Sequence, residues 1–376
     1  MASSLGLATM IWLASVHLWF ARSPRAIAEP MVAHQVALWS QESARPTESL
    51  RRSNPEWDLM ARTFTVLAFA NRALAEPERK ATYLATIDRI VDRTIADDAR
   101  AGPHVFLLPY GRRAPFRDAA GRSLFVDGEI ALMLSARQLV EPAPEREVLT
   151  RTWVERVVRQ LEGAPLLFGE SYPDEVWVFC NTVALGAIRL HDASVGTPEA
   201  HADLMRRWVA SAREHMIDRE TGLLVSKTTL DGTVGDGPEG STLWLATDML
   251  LLVDEDFAHD QYARARHELA GELFGFAWAR EWPASWPGRE DIDSGPTVPI
   301  VGANAGSSGL ALVAARAFHD EAFTSGLVAS VELAGFPNHD RTTYAAGNPL
   351  ADAVITYAFA SGPLWARAGV GRRGAP

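Results

Sequence analysis

Apolar positions recur along this chain in helical register, and the stretches they mark are of two alternating kinds. Trp57, Met60, Phe64, Leu67 and Leu74 stand three, four or seven apart, which predicts a helix over 56–74. Five further stretches are apolar nearly all round and rich in small residues. They are DGEIALMLSARQLV near Val126, FCNTVALGAIRLHD near Val178, STLWLATDMLLLVDE near Ser241, SSGLALVAARAFHD near Ser307 and LADAVITYAFA near Leu350. A helix without a polar face is buried on every side. Between these stretches run helices that keep a charged stripe, at 77–97, 145–161, 199–216, 260–276 and, shorter, 319–334.

The repeat is irregular, about 40 to 65 residues, which suits a helical hairpin with a long loop. Six apolar helices, each next to a polar one, predict an all-α fold: a single (α/α)6 barrel of six inner and about six outer helices. The inner ring packs both across the lumen and against the outer ring, which accounts for its apolarity and its small residues. Links from an outer helix into the next inner one are long (101–122, 164–175, 219–240, 281–304, 335–348), whereas the return links are short. Long loops inside compact domains are usually functional, so the N-terminal ends of the inner helices form the expected active face. On that face 223–227 and 228–234, around Asp231-Gly232, read as a small β-hairpin. With no Pro/Gly/Ser-rich linker between Asn54 and Leu364, the barrel is expected to run over 54–365, after a linker or first outer segment at 29–53 and before a flexible tail at 366–376.

Residues 5–21 are apolar apart from Thr9, Ser15 and His17, and Arg22 and Arg25 follow them. The stretch is about one membrane span long, and Ala26-Ile27-Ala28 has the small-x-small form of a cleavage site. Residues 1–28 are therefore expected to be a hydrophobic helix acting as membrane anchor or signal peptide, with a buried core helix as the alternative. The protein is expected to be membrane-anchored or exported.

Charge and composition narrow the chemistry. A net charge of −11 and no basic block argue against nucleic acid as a partner. One cysteine, Cys180, excludes an intrachain disulfide and a cysteine-based zinc cluster, and no histidines stand at metal-ligand spacing. P-loop, dinucleotide and G-x-S-x-G signatures are missing from the sequence. What the sequence offers instead is a set of polar residues where long loops meet inner helices. Asp127 and Glu129 flank Gly128, and the next loop brings Glu170, Tyr172, Asp174, Glu175, Trp177, Cys180 and Asn181. Glu239 and Trp244 follow, then Asp291, Asp293 and Asn304, and Asn348 precedes the last inner helix.

Two carboxyls in a partly apolar pocket can split into a proton donor and an acceptor at neutral pH. Asp293, Glu170, Glu129, Asp127 and Cys180 are the catalytic candidates, with Asp293 expected to face Glu170 or Glu129. Tyr172, Asp174, Trp177, Asn181, Glu239, Trp244, Asp291, Asn304 and Asn348 are expected to bind substrate. Plainer roles compete with these: an N-cap for Asp127, a partner of the helix dipole for Glu175, a small core residue for Cys180.

The layout over 54–364, with WVFCNT (Trp177 to Thr182) opening an inner helix, resembles the (α/α)6 toroids, above all the linalool dehydratase/isomerase family. That resemblance implies a cofactor-free enzyme that dehydrates and isomerises a small terpene alcohol with Asp, His, Tyr and Cys side chains. Cys180 matches one family cysteine. The second has no counterpart, Ser171 being the nearest polar residue in the preceding loop, and Glu129 lies on the inner helix where a histidine would serve. Six-hairpin glycosidases are the rival resemblance and imply a carboxylate pair across a cleft lined by tryptophans. A non-catalytic, membrane-tethered barrel that binds a ligand is the third reading. Expected partners are a small molecule, terpenoid alcohol or carbohydrate, and a membrane; a homo-oligomer is compatible with the sequence.

Overall fold

Small residues on the apolar helices let six of them close into a ring. The computed structural model describes residues 2–41, 46–286 and 294–371. The chain folds as α1 (Ala2–Ser15), α2 (Pro24–Ser40), α3 (Glu48–Ser53), α4 (Pro55–Ala75), α5 (Lys80–Ala101), α6 (Leu124–Val140), α7 (Pro144–Gly163), α8 (Val178–Ser194), α9 (Ala202–His215), α10 (Gly240–Leu250), α11 (Glu255–Glu268), α12 (Ala305–Ala317), α13 (Glu321–Ala334), α14 (Pro349–Ala360) and α15 (Leu364–Arg367). Helices α4, α6, α8, α10, α12 and α14 each pack against the next, and α14 packs back onto α4. This is the inner ring of an (α/α)6 barrel. Gly128 sets the closest crossing: a Cβ there would lie 3.2 Å from that of Ala184, so α6 and α8 meet nearly backbone to backbone.

The outer ring is α5, α7, α9, α11, α13 and α2. The last of these overlaps 29–53, where a linker or first outer segment was expected. Ile27, Ala28, Met31, Val32, Gln35 and Trp39 are buried along one stripe of α2, which packs on α14, α5 and α4. Ser23 caps the helix and Pro24 lies in its first turn. A correction concerns 260–276. Helix α11 stops at Glu268, and the chain turns into a hairpin of β4 (Ala270–Leu273) and β5 (Phe276–Ala279), reversing through positive φ at Phe274 and Gly275. Its alternating burial is the period of a strand, although its composition also fits a helix.

The hairpin expected on the open face is present as β2 (Lys227–Thr228) against β3 (Val234–Asp236), shifted toward the C-terminus, and β1 (Val176–Trp177) joins it as a third strand. Two further short strands, β6 (Thr297–Val298) and β7 (Ala303–Asn304), pair just before α12. At the opposite end the chain after α14 closes the floor. The Leu364 amide donates to Asn71 of α4, and Trp365 donates to Asp248 of α10.

At the N-terminus, no single described helix is long and apolar enough to cross a membrane. Ser4–Phe20 and Pro24–Ser40 meet the length and apolarity of a span only as a pair, bent by 41°.

Candidate active site

Three loops and three inner helices assemble a polar centre at the mouth. The loop before α8 is pinned first. Pro173 and Asp174 form a tight turn in which the Glu175 amide donates back to the Tyr172 carbonyl, with Asp174 in the left-handed region at φ 59°. The Glu170 carboxylate then gathers three backbone amides, from Arg117 (2.8 Å), Asp118 (3.1 Å) and Asp174 (2.6 Å). A carboxylate so occupied is a clamp between the loop before α6 and the loop before α8. Gly169 lets that second loop lie on α6, since a Cβ there would strike Leu124 at 2.4 Å. Asn181 ties the same loop to α8, bonding the Gly169 amide and carbonyl and the Trp177 carbonyl.

Pinned in this way, the loop presents Tyr172. Its buried ring stacks on Tyr110 with centroids 4.5 Å apart, and its hydroxyl donates to Glu56 at 2.5 Å while accepting from the Leu108 amide. Glu175 accepts from the Tyr110 hydroxyl (3.2 Å) and from the Trp177 indole (3.1 Å). Strand β1 sets Trp177 beside Lys227, whose ammonium stands 5.0 Å from the ring centroid. Burial works against the Lys227 charge, but its ion pair with Asp236 and the nearby Glu175 and Glu239 outweigh it and raise its pKa.

Below this layer lie Glu129 and Cys180. On α6, Asp127, Gly128 and Glu129 point in three directions about 100° apart: to the outer ring, to Ala184 of α8, and into the barrel. Glu129 is 2% exposed, and burial lifts its carboxyl to about 7 against a hydrogen bond from Thr63 of α4. One of its oxygens has no hydrogen-bond partner among the described residues. Cys180 is equally enclosed. Burial pushes its thiol well up, Ser171 hydrogen-bonds to it and pulls the other way, and the charges of Glu56 and Glu129 add to the rise. The thiol is therefore neutral. Ser171, nine residues before the cysteine, is the polar neighbour the fold supplies.

The remaining expected residues are placed elsewhere. Asp127 faces the outer ring, where it binds Arg122 and accepts from Gln160 at 2.6 Å, so it belongs to the barrel wall and not to the lumen. Asp174 pairs with exposed Arg117 at the rim. Trp244 is core, packed between Tyr262 and Phe323 of the outer ring. Asn304 and Asn348 cap α12 and α14. Glu239 stands at the N-terminus of α10, next to Lys227. Asp291 and Asp293 lie outside the described residues. Sequence reasoning missed Glu56, Tyr110 and Lys227 as site members. Glu56 looked like the first turn of a helix, and only the stacked tyrosines, remote in sequence, give it a second role. Among the described residues no group of three or more His, Cys, Asp or Glu is placed to hold a metal ion.

Known proteins share this architecture. The GH76 α-mannanase of Bacteroides thetaiotaomicron superposes with a TM-score of 0.52 at 9% identity, over 82% of this chain and 86% of the other. Unsaturated glucuronyl hydrolase from Bacillus sp. GL1 gives 0.50 at 11%, over 79% and 84%. An inactive variant of the GH76A α-1,6-mannanase of Salegentibacter sp. HEL1_6, bound to α-1,6-mannotetrose, gives 0.51 at 10%, over 90% and 99%. Identities this low establish the shared toroid fold alone. No curated protein sequence matches the chain. The family described as linalool dehydratase/isomerase matches over residues 148–336, half of the chain, spanning the Glu170–Cys180 loop and helix start. On that match and on its six-by-six barrel, the protein belongs to the linalool dehydratase/isomerase family.

Proposed function

We propose that the protein is a cofactor-independent acid–base lyase or isomerase acting on a small hydrophobic alcohol at the centre formed by Glu129, Cys180 and Glu56. The observation that carries this reading is the buried Glu129 carboxyl, one oxygen of which has no partner among the described residues. Desolvation raises its pKa to about 7, close to the working range of a general acid. In a dehydration Glu129 gives its proton to the substrate hydroxyl, the C–O bond breaks and water leaves. Glu56, held by Tyr172, then takes a proton from the adjacent carbon, and an alkene remains. The neutral Cys180 thiol, near enough to feel both charges, serves as a soft contact and weak donor. Apolar inner-ring side chains exclude bulk water.

General acid–base groups contribute roughly 10²–10⁴-fold each, so Glu129→Gln and Glu56→Gln should each lower turnover of terpene alcohols by at least about 100-fold while the circular dichroism spectrum is kept. Retention of activity in Glu129→Gln would sink the assignment. The carbohydrate reading keeps one observation, the half-exposed Trp177 at the mouth with Glu175 and Glu239 close by. Release of reducing sugar by the purified protein, lost in Trp177→Ala, would favour it. The apolar N-terminal segment is read as a membrane-associating element, supported by the exposure of Leu5, Ile11 and Trp12 on α1. Loss of vesicle binding in Leu7→Asp/Ile11→Asp tests that reading. Residues 24–367 are taken as the catalytic unit.

A further inference from the structure

The exposed apolar surface of this molecule is concentrated on one flank. After α1 the chain makes a short 3-10 turn, Val16–Phe20, that packs on the barrel. His17 and Phe20 meet the Phe276 ring at 6.3 and 6.1 Å between centroids, and Arg22 approaches Glu332 of α13 at 3.9 Å. Strand β5 lies on α13, where Gly326 leaves room for Ala277. The Trp278 indole donates to the Val301 carbonyl at 2.9 Å and fastens the β6–β7 turn alongside. From this connected surface Trp19, Phe274, Ile300 and Phe336 project into solvent, between half and almost fully exposed.

We infer that this flank, together with α1, seats the barrel on a lipid bilayer as a monotopic protein that enters one leaflet. The inference rests on the membrane-associating reading of α1 and adds the surface that lies against the bilayer. Three features select lipid as the occupant. Leu5, Leu7, Met10, Ile11, Trp12 and Leu13 are all exposed and, at 100° per residue, are spread around α1 with no gap wider than about 100°. A protein groove or a second copy covers one stripe, whereas lipid covers a helix all round. Fourteen residues make about 21 Å of helix, short of the ~30 Å hydrocarbon core. Helix α2, which could have extended α1, has its apolar stripe committed to the outer ring. Finally, Trp12, Trp19 and Phe274, followed by Arg25, are residue types that settle at the membrane–water interface.

The test is flotation of the full chain with vesicles of phosphatidylcholine, alone and mixed with phosphatidylserine. Wild type should float with both. Leu7→Asp/Ile11→Asp tests the anchoring reading, and Phe274→Glu/Ile300→Glu tests the flank, each checked for an unchanged circular dichroism spectrum. The flank variant should partition roughly tenfold less than wild type. An environment-sensitive label on Ile300→Cys should shift to the blue with vesicles, whereas one on Val148→Cys of α7 should not; the native Cys180 is buried and out of the label's reach. If the flank variant floats like wild type while the α1 variant does not, the barrel hangs from α1 alone and the inference is overturned. If wild type does not float but forms oligomers that the flank variant dissociates, the surface is an interface between copies, and the membrane reading falls with it.

Discussion

Glu129→Gln is the sharpest perturbation because it can be read without knowing the substrate. The carboxyl is lifted from an ordinary 4.5 to about 7 by burial. Between those two values the folded protein holds a proton that the unfolded chain has released, so stability falls as pH rises through the window. The stabilisation is whole below about pH 4.5 and gone above about pH 7. A gap of about 2.5 units at about 1.36 kcal/mol each is about 3 kcal/mol. Glutamine keeps the shape and has no proton to lose. The variant should therefore match wild type near pH 4.5, apart from the altered contact to Thr63, and gain about 3 kcal/mol on it by pH 8. Asp248 and Asp352, raised by burial to about 7 and about 6, tilt both proteins in the same direction and cancel in the difference. Urea unfolding at half-unit pH steps gives the curve by linear extrapolation. Parallel wild-type and variant profiles across pH 5–8 would falsify a buried, protonated Glu129, and with it the proposed general acid.

Other outcomes follow from the supports of the site. Asp58→Asn takes one of two carboxylate partners from Arg62, 4% exposed and stacked near Phe106, leaving it Asp97, and should cost about 1.5–3 kcal/mol in urea unfolding. Tyr172→Phe strips the Leu108 amide and Glu56 of their shared hydroxyl, and should cost about 1–3 kcal/mol and loosen the mouth loop in hydrogen exchange. Cys180→Ala should keep the fold, losing about 1 kcal/mol for the small void, and lower turnover; unchanged turnover would make Cys180 a packing residue. Gly128→Leu should lose about 1–3 kcal/mol or more by wedging α6 from α8, measured as a fall in the urea midpoint.

How much of this was legible in the sequence depends on the scale of the signal. The inner ring was, because all-round apolarity with alanine and glycine is a local property of each segment: the helices expected near Val126, Val178, Ser241, Ser307 and Leu350 stand close to where they were read. For 29–53 a linker and a first outer segment stood side by side, because Pro30 and the preceding apolar run blur the stripe of α2 that packs on α14 and α5. The β4–β5 hairpin was lost because FAWA alternates its burial while its composition also suits a helix. At the site, Tyr172, Trp177 and Cys180 could be singled out from one crowded stretch. Glu56 and Tyr110 could not, since what brings them there is contact across 116 and 62 residues of chain to Tyr172.

Carboxylates at the mouth divide by how their hydrogen-bonding capacity is spent, and that division decides their roles better than position does. Glu170 receives three backbone amides, and Asp127 is saturated by Arg122 and Gln160. Such groups cannot release a partner to meet a substrate without undoing the loop or wall they hold together. Glu129 is the reverse case: fully desolvated, one oxygen unpartnered, on a helix too closely packed against α8 to turn it outward. A buried unpaired carboxyl destabilises the fold, and packing alone would favour leucine or glutamine there. The same desolvation that makes it costly also raises its pKa to about 7, so that it holds a proton on the acid side of neutrality. Cys180, beside it, gains its neutrality from the same shielding and its orientation from Ser171. Glu129, Glu56 and Cys180 thus lie close enough for both carboxyl charges to act on the thiol, and the proposed elimination rests on that grouping.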